Sequence, residues 1–301
     1  MSDPAAPVVC AVLVTYHPDP AVLLEAVSAI RPQVHSLVVV DNGGTPPLPA
    51  GVEVLRQDGN VGLAAAQNAG IGWARARGAT HVLVLDQDSV PAADMVAQLR
   101  AGLQRLSSQG RVAAVGPRYR DPRESRDAPF IKVAFPMSRK LWCDPQSPDI
   151  ETDFLISSGA LIPMSVLDDV GDMDAGIFID NVDMEWSFRA RSKGYTLYGV
   201  CAATMEHTLG DAREPVFGGA ARVVRHGPVR LYFIMRNRVA LYRRPYTPRV
   251  WIAQDVPRVF VKFAIFSVLA GPRLRNIRYM LRGLADGVRG RTGPCPLEAR
   301  S

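Results

Sequence analysis

His81-Val82-Leu83-Val84-Leu85-Asp86-Gln87-Asp88-Ser89 is an apolar run that ends in two carboxylates, one residue apart. Val82 to Leu85 show no polar alternation, which predicts a strand covered on both faces, as in a parallel sheet flanked by helices. Ligands of such sheets gather at the carboxyl ends of the strands. Asp86 and Asp88 lie at that end, and carboxylate oxygens suit a hard cation such as Mg²⁺ or Mn²⁺ bridging a diphosphate. The same residues also read as a strand-to-helix turn, with Asp88 or Ser89 capping a helix that starts at Pro91. The stretch alone leaves both readings open.

On either side of it, apolar runs predict strands at 8–14, 36–40, 52–55 and 112–115, and helical spacing predicts helices at 20–30, 60–77 and 91–106. This alternation implies an α/β domain with a mostly parallel sheet. Residues 117–152 are rich in Arg, Asp and Pro and predict an irregular excursion with a hairpin around 130–135. Order resumes with a strand at 154–160, a short helix at 163–170 and a helix at 181–193 stopped by Gly194. Two edge strands are expected at 195–200 and 203–207. Residues 210–228 read as a Gly-containing loop long enough to act as a lid.

The chain has 301 residues, enough for one large domain or one domain with an appendage, and 48% are hydrophobic. Its net charge of +6 conceals an asymmetry. Up to residue 221 there are 18 Lys and Arg against 26 Asp and Glu, and from residue 222 there are 17 against 3. The shift marks a boundary near Arg222, between residues 1–221 and a basic extension over 222–301. Cys10, Cys143, Cys201 and Cys295 show no paired spacing, which argues against a zinc site or disulfide framework and suggests a reducing compartment. No basic segment followed by a long apolar stretch opens the chain, so a cytoplasmic location is expected.

Four segments end at predicted carboxyl edges: Thr15-Tyr16, Asp41-Asn42-Gly43, Asp86-Gln87-Asp88 and Ser158-Gly159. A doubly wound sheet would bring them into one crevice. Asp41 either accepts from the imide N–H of a pyrimidine base or forms an Asx turn before Gly43-Gly44. Asn60-x-Gly62 either presents backbone N–H groups to a diphosphate or is a plain helix cap. Within Asp180-Asn181-Val182-Asp183-Met184-Glu185-Trp186 a carboxylate can serve as general base, although Asp180 and Asp183 also read as a capping box and Glu185 with Arg189 as an i,i+4 pair. His207 ends an apolar strand and is a candidate metal ligand. Neither a Gly-x-Gly-x-x-Gly nor a P-loop pattern occurs, so dinucleotide and P-loop chemistry lose their main support.

These segments, in this order, resemble the inverting family-2 glycosyltransferases of the GT-A fold, particularly bacterial rhamnosyltransferases. The residues that carry the resemblance are Val14-Thr15-Tyr16, Val40-Asp41-Asn42-Gly43, Asn60-Val61-Gly62-Leu63, Gln67-Asn68-Ala69-Gly70, Asp86-Gln87-Asp88-Ser89, Ser158-Gly159, and the run from Phe178 to Tyr195. Arg230-Leu231-Tyr232 and Arg236-Asn237-Arg238 are similar to the rhamnosyltransferase subgroup as well. The chain departs at Asn42-Gly43-Gly44, where many members have Ser after the Gly. The resemblance implies that Asp86 and Asp88, with His207, hold Mg²⁺ or Mn²⁺ and that Asp183 is the catalytic base. It further implies that Thr15, Tyr16, Asp41, Asn60, Gly62, Asn68, Asp86 and Gln87 meet the nucleotide-sugar donor, and that Ser158, Gly159, Glu185 and Trp186 meet a saccharide acceptor. By the same resemblance residues 1–221 form a GT-A catalytic domain, its nucleotide-sugar part about 1–116 and its acceptor part about 117–221. The implied donor is dTDP-L-rhamnose, with UDP-galactofuranose or a UDP-hexose as alternatives. A non-catalytic, membrane-associated saccharide-binding protein is the rival of another class.

Residues 251–269 are strongly apolar, yet Asp255, Arg258 and Lys262 fall at helical spacing on one side, so no uninterrupted hydrophobic span exists there. With Arg273, Arg275, Arg278 and Arg282 following, 248–290 read as amphipathic helices lying on an anionic membrane surface, or packed on a second subunit in a homo-oligomer. A peripheral place on the inner face of a bacterial plasma membrane and a polyprenyl-diphosphate-linked acceptor follow as expectations. Nucleic acid is not an expected partner, because no binding motif accompanies the charge.

Overall fold

Val9–Thr15 is buried along its whole length and forms the first strand, β1, of the computed structural model, which describes residues 7–144, 148–207, 213–216, 221–224, 226–269 and 271–298. The chain divides into two compact units. The first comprises residues 1–132, 139–175 and 182–208, and the second residues 133–138, 176–181 and 209–301. The division falls after Thr208 rather than near Arg222, and two short internal segments join the second unit.

In the first unit β1 is followed by α1 (Pro20–Ile30), β2 (Ser36–Asp41), β3 (Glu53–Arg56), α2 (Leu63–Ala76), β4 (His81–Asp86), β5 (Ser89–Pro91), α3 (Met95–Ser107) and β6 (Val112–Arg120). Then come β7 (Phe130–Lys132), β8 (Arg139–Leu141), β9 (Asp149–Thr152), β10 (Leu161–Pro163), α4 (Met164–Val170), α5 (Val182–Ser192) and β11 (Thr196–His207). The main sheet runs β3-β2-β1-β4-β10-β6-β11-β5, with β9 also paired to β11. β1, β2, β3 and β4 are mutually parallel, as are β6 and β11, whereas β10, β5 and β9 run antiparallel to their neighbours. The register sets Thr15 beside Asp41 and Val14 beside Asp86, so the acidic strand tips meet at one edge. Helix α2 lies close on β1 because Gly70 has no side chain: a Cβ there would come within 2.1 Å of a Val12 methyl.

Several local expectations are corrected. Pro91 does not start a helix; Ser89–Pro91 pairs with β11, Ser89 opposite His207, and α3 begins at Met95. The unpaired edge of β11 takes these three residues before the helix can begin. Residues 154–160 form no strand, because Gly159 turns at φ +82° and donates its N–H to the Val84 carbonyl at 2.7 Å. The two expected edge strands are one strand, β11, irregular between Val200 and Thr204 and hydrogen-bonded to β5, β6 and β9. Cys143 and Cys201 are disulfide-bonded across 58 residues of sequence, contrary to the expectation from their spacing. Residue 201 lies on β11, whose pairing with β9 brings the two strands of chain together, and the cysteines no longer point to a reducing compartment.

The second unit contains β12 (Arg213–Val216) and β13 (Ala221–Val224), an antiparallel pair within the expected loop, of which residues 210–212, 217–220 and 225 lie outside the described ones. It continues with α6 (Pro228–Tyr242), α7 (Arg249–Val268) and α8 (Arg273–Val288). α8 approaches α6 at two glycines; a Cβ on Gly283 would stand 2.3 Å from the Tyr232 carbonyl oxygen. The polar stripe of α7 is divided: Asp255 is buried, Lys262 half-buried and Arg258 exposed. Asp255 is 2% exposed and accepts from the Tyr242 hydroxyl at 2.6 Å, and Arg238 lies 3.1 Å away. The outward residues include Phe260, 71% exposed, and Val261. Among the described residues no helix is long and apolar enough to cross a membrane.

Candidate active site

The edge at which β1, β2 and β4 end carries the side chains that the sequence singles out. Asp86 closes β4, Asp88 follows it, and the β5–β11 pairing delivers His207 to the same place. Ligand atoms of Asp86, Asp88 and His207 all lie within 4.8 Å of one another. His207 is buried, with Nδ1 2.8 Å from Ser89 Oγ and 3.4 Å from Asp88 Oδ1. Ser89 Oγ in turn meets Ser158 Oγ at 2.5 Å, and Ser158 Oγ accepts from the Asp86 backbone N–H at 3.0 Å. Two carboxylates and an imidazole, braced by two buried hydroxyls, fit a divalent cation with mixed oxygen and nitrogen ligands. Burial raises the Asp88 carboxyl above its ordinary pKa, against the lowering effect of His207 and Arg123.

Three further residues complete the surroundings, and the sequence reading missed them. Tyr119, on β6, sets its ring edge-on to His207 with centroids 6.0 Å apart. Burial, and second to it the Asp183 carboxylate, push its hydroxyl up to about 12, which puts Tyr119 within electrostatic reach of the candidate base. Asp121 is 3% exposed and accepts from Arg123 Nε at 2.8 Å and Nη2 at 2.6 Å, which brings a guanidinium into electrostatic reach of Asp88. The signal was an acid two residues before an arginine in a stretch taken as irregular.

Asp41 takes the Asx-turn geometry: its Oδ1 accepts from the N–H groups of Gly43 at 3.0 Å and Thr45 at 3.2 Å. Burial opposes its ionisation, but the hydrogen bonds from Thr45 and Gly43, with Arg56 nearby, outweigh it and hold the carboxyl below its ordinary value. Tyr16 is 48% exposed beside this turn, its backbone N–H donating to Gln87 Oε1 at 2.6 Å. Asn60 is not the cap of α2, which is Gly62 at φ +88°; its Oδ1 accepts from Asn42 Nδ2 and Gly62 N–H, both at 3.0 Å.

Other expected contact residues are engaged inside the protein. Thr15 is fully buried, bonding the Val40 carbonyl and Thr45. Asn68 exchanges two hydrogen bonds with the Met173 backbone, at 2.8 and 2.9 Å. Gly159 packs so that a Cβ would fall 2.6 Å from Pro117. Glu185 is 1% exposed and holds Arg189 through both oxygens at 2.9 Å, while Trp186 donates to the Gly171 carbonyl. These two side chains support α5 from within. Asp183, on the same helix, is only half-buried and accepts from the Met184 N–H at 2.8 Å. Asp180 does not cap α5 either: it is left-handed at φ +62° and pairs with Arg230 at 3.2 Å.

A mostly parallel sheet flanked by helices, with acid at the strand tips, is the GT-A arrangement of a glycosyltransferase. The chain belongs to Glycosyl transferase family 2, whose model matches residues 10–171. It is 26% identical to the dTDP-rhamnosyl transferase RfbF of Shigella flexneri over 290 residues, covering 94% of this chain and 96% of that protein. It is 25% identical to the galactofuranosyltransferase GlfT1 of Mycolicibacterium smegmatis over 299 residues, covering 91% and 94% respectively. Among solved structures, GalNAc-T7 with UDP, GalNAc and Mn²⁺ superposes with a TM-score of 0.59 at 14% identity, over 95% of this chain and 57% of the other.

Proposed function

We propose that the enzyme transfers L-rhamnose from dTDP-L-rhamnose, with inversion at the anomeric carbon, to a hydroxyl of a saccharide acceptor, lipid-linked, in the building of a surface polysaccharide. The observation that carries this reading is the convergence of Asp86, Asp88 and His207 within 4.8 Å, at the strand edge that also holds Asp41. The similarity to RfbF along nearly the whole of both chains supports rhamnose as the sugar. The similarity to GlfT1 supports a second reading, a UDP-galactofuranose donor on the same site.

In this reading Asp86, Asp88 and His207 hold Mg²⁺ or Mn²⁺. The bound ion supplies positive charge to the diphosphate of the donor. Ser89 and Ser158 orient the ligand side chains, and Arg123 adds its fixed charge on the Asp88 side. Tyr16 and the Asp41 turn flank the nucleoside. Asp183 takes the proton of the acceptor hydroxyl as that oxygen attacks the anomeric carbon from the face opposite the leaving diphosphate. One in-line displacement inverts the carbon.

The test is a panel of nucleotide sugars, with Mn²⁺ or Mg²⁺ and with chelator, read by thermal shift and by transfer. dTDP-rhamnose is expected to give the largest cation-dependent shift; a shift and transfer with UDP-galactofuranose alone would replace the donor assignment by the second reading. Asp183→Asn should bind the donor normally and lose transfer by about 10²–10⁴-fold. Undiminished turnover in that variant would remove Asp183 as the base.

A further inference from the structure

We propose that the first unit carries a second binding site, for an anionic pyranose such as a uronate or a sugar phosphate, separate from the Asp86–Asp88–His207 group. A cavity of ≈ 420 Å³ is lined by Arg118, Arg120, Arg126, Asp127 and Trp142, with Ser125, Ala128 and Cys143 completing its wall. That volume lies within the roughly 300–1,000 Å³ of small-molecule sites.

The position of the cavity follows from strand geometry. On β6, Tyr119 points toward His207, so its neighbours Arg118 and Arg120 point to the opposite face of the sheet. The walls are fixed in place. The loop after β6 is closed by the Ala128 N–H donating to the Tyr119 carbonyl at 2.9 Å and the Glu124 N–H to the Asp121 carbonyl at 2.8 Å. Trp142 precedes Cys143, which the disulfide ties to Cys201 on β11.

Its chemistry selects the ligand. Three guanidinium groups face one carboxylate, Asp127, which pairs with Arg118 at 3.4 Å. Neither Arg120 nor Arg126 has a carboxylate partner among the described residues; Arg120 Nε reaches only the Glu124 carbonyl, at 3.4 Å. Two guanidinium forks with no ion pair, Arg120 having Glu206 beside it on β11, match a carboxylate or phosphate, which they can grip with two parallel hydrogen bonds. Trp142 is 48% exposed at the wall, an indole surface for the apolar face of a sugar ring. A bare anion would not use Trp142, and a neutral sugar would leave the arginines unpaired. A charged sugar uses both.

The site is tested on the intact protein by following the indole N–H resonance of Trp142, identified with Trp142→Phe, during titration with glucuronate, glucose 6-phosphate, glucose and inorganic phosphate. The expected result is a saturable shift with glucuronate or glucose 6-phosphate, and weaker or no saturation with glucose and inorganic phosphate. A response to one of the two anionic sugars identifies the charged group as carboxylate or as phosphate. Arg126→Ala and the Arg120→Ala, Arg126→Ala pair, checked for unchanged melting temperature, should weaken binding about tenfold or more; Arg126→Lys should recover part of it. No saturable Trp142 shift with either anionic sugar overturns the proposal, as does equal affinity in the arginine variants. Inorganic phosphate binding as tightly as glucose 6-phosphate reduces the cavity to an anion site and also overturns it. None of these outcomes bears on transfer, because donor binding is read separately by its cation-dependent thermal shift.

Discussion

His207 holds its place through Ser89, and this small contact bears on how well the candidate metal ligands are oriented. Ser89 is fully buried, and its hydroxyl touches both His207 Nδ1 and Ser158 Oγ. Hydrogen bonds behind a ligand orient it, and removing one costs about 10–100-fold in metal affinity. Ser89→Ala is therefore expected to raise the Mn²⁺ concentration needed for half-maximal thermal shift by about that factor. Stability should fall by only about 1–3 kcal/mol. Unchanged Mn²⁺ dependence in Ser89→Ala would show that the hydroxyl does not position His207.

At the scale of elements, the segment 176–181 is held by a clamp rather than by regular structure. Phe178, Asp180 and Asn181 adopt positive φ of 70°, 62° and 67°, a conformation that side chains disfavour. Asn237, 1% exposed, donates to the carbonyls of Ile177, Ile179 and Asp180 at 3.0, 2.6 and 2.9 Å. Buried Arg236 donates to the Gly176 and Ile177 carbonyls. This explains the Arg236-Asn237 pair structurally. The chain enters α5, and so Asp183, two residues after this run. Asn237→Ala should cost about 1–3 kcal/mol for the abandoned carbonyls and lower kcat more than it changes donor affinity. A variant with reduced melting temperature but wild-type kcat would limit Asn237 to stability. The exposed face of α7 and α8 gives a second expectation: Phe260, Val261, Leu274 and Leu281 are 71%, 58%, 84% and 53% exposed among many arginines. Phe260→Asp with Leu274→Asp should reduce sedimentation with anionic vesicles while leaving the melting temperature nearly unchanged. Equal sedimentation would reject the membrane-surface reading of this face.

For the whole molecule, stability should depend on acid through the second unit. Burial, with the charges of Lys262, Arg230 and Arg238, lowers His226 to about 3 from an ordinary 6.5. The unfolded chain thus binds a proton that the folded chain refuses. The stability contributed is complete above about pH 6.5 and is lost as pH falls toward 3. Lys262, lowered to about 8 chiefly by burial, acts with the same sign: stability rises between about 8 and 10.5. Thermal melts at pH 7 and pH 4 should show a smaller acid-induced loss in His226→Phe than in the wild type. Equal losses would mean that His226 is not the group being protonated.

The sequence by itself determined the class of sheet and the place of its acidic tips. Runs such as 82–85 and 36–40 are apolar on both faces, and a strand so composed has few places to go but the middle of a parallel sheet. What could not be read there is whatever depends on which distant segments pair. The antiparallel β5–β11 contact, which brings His207 to Asp88, involves residues 118 positions apart and leaves no local pattern. The same holds for the Cys143–Cys201 bond and the Arg120–Arg126–Trp142 cavity. Nor does a local pattern announce that Thr15, Asn68, Glu185 and Trp186, whose polar groups suit a ligand, make hydrogen bonds within the protein. Local chemistry named the groups that can act. Tertiary pairing chose which of them face the crevice, because a polar group acts on a ligand only where the fold leaves it something to bond.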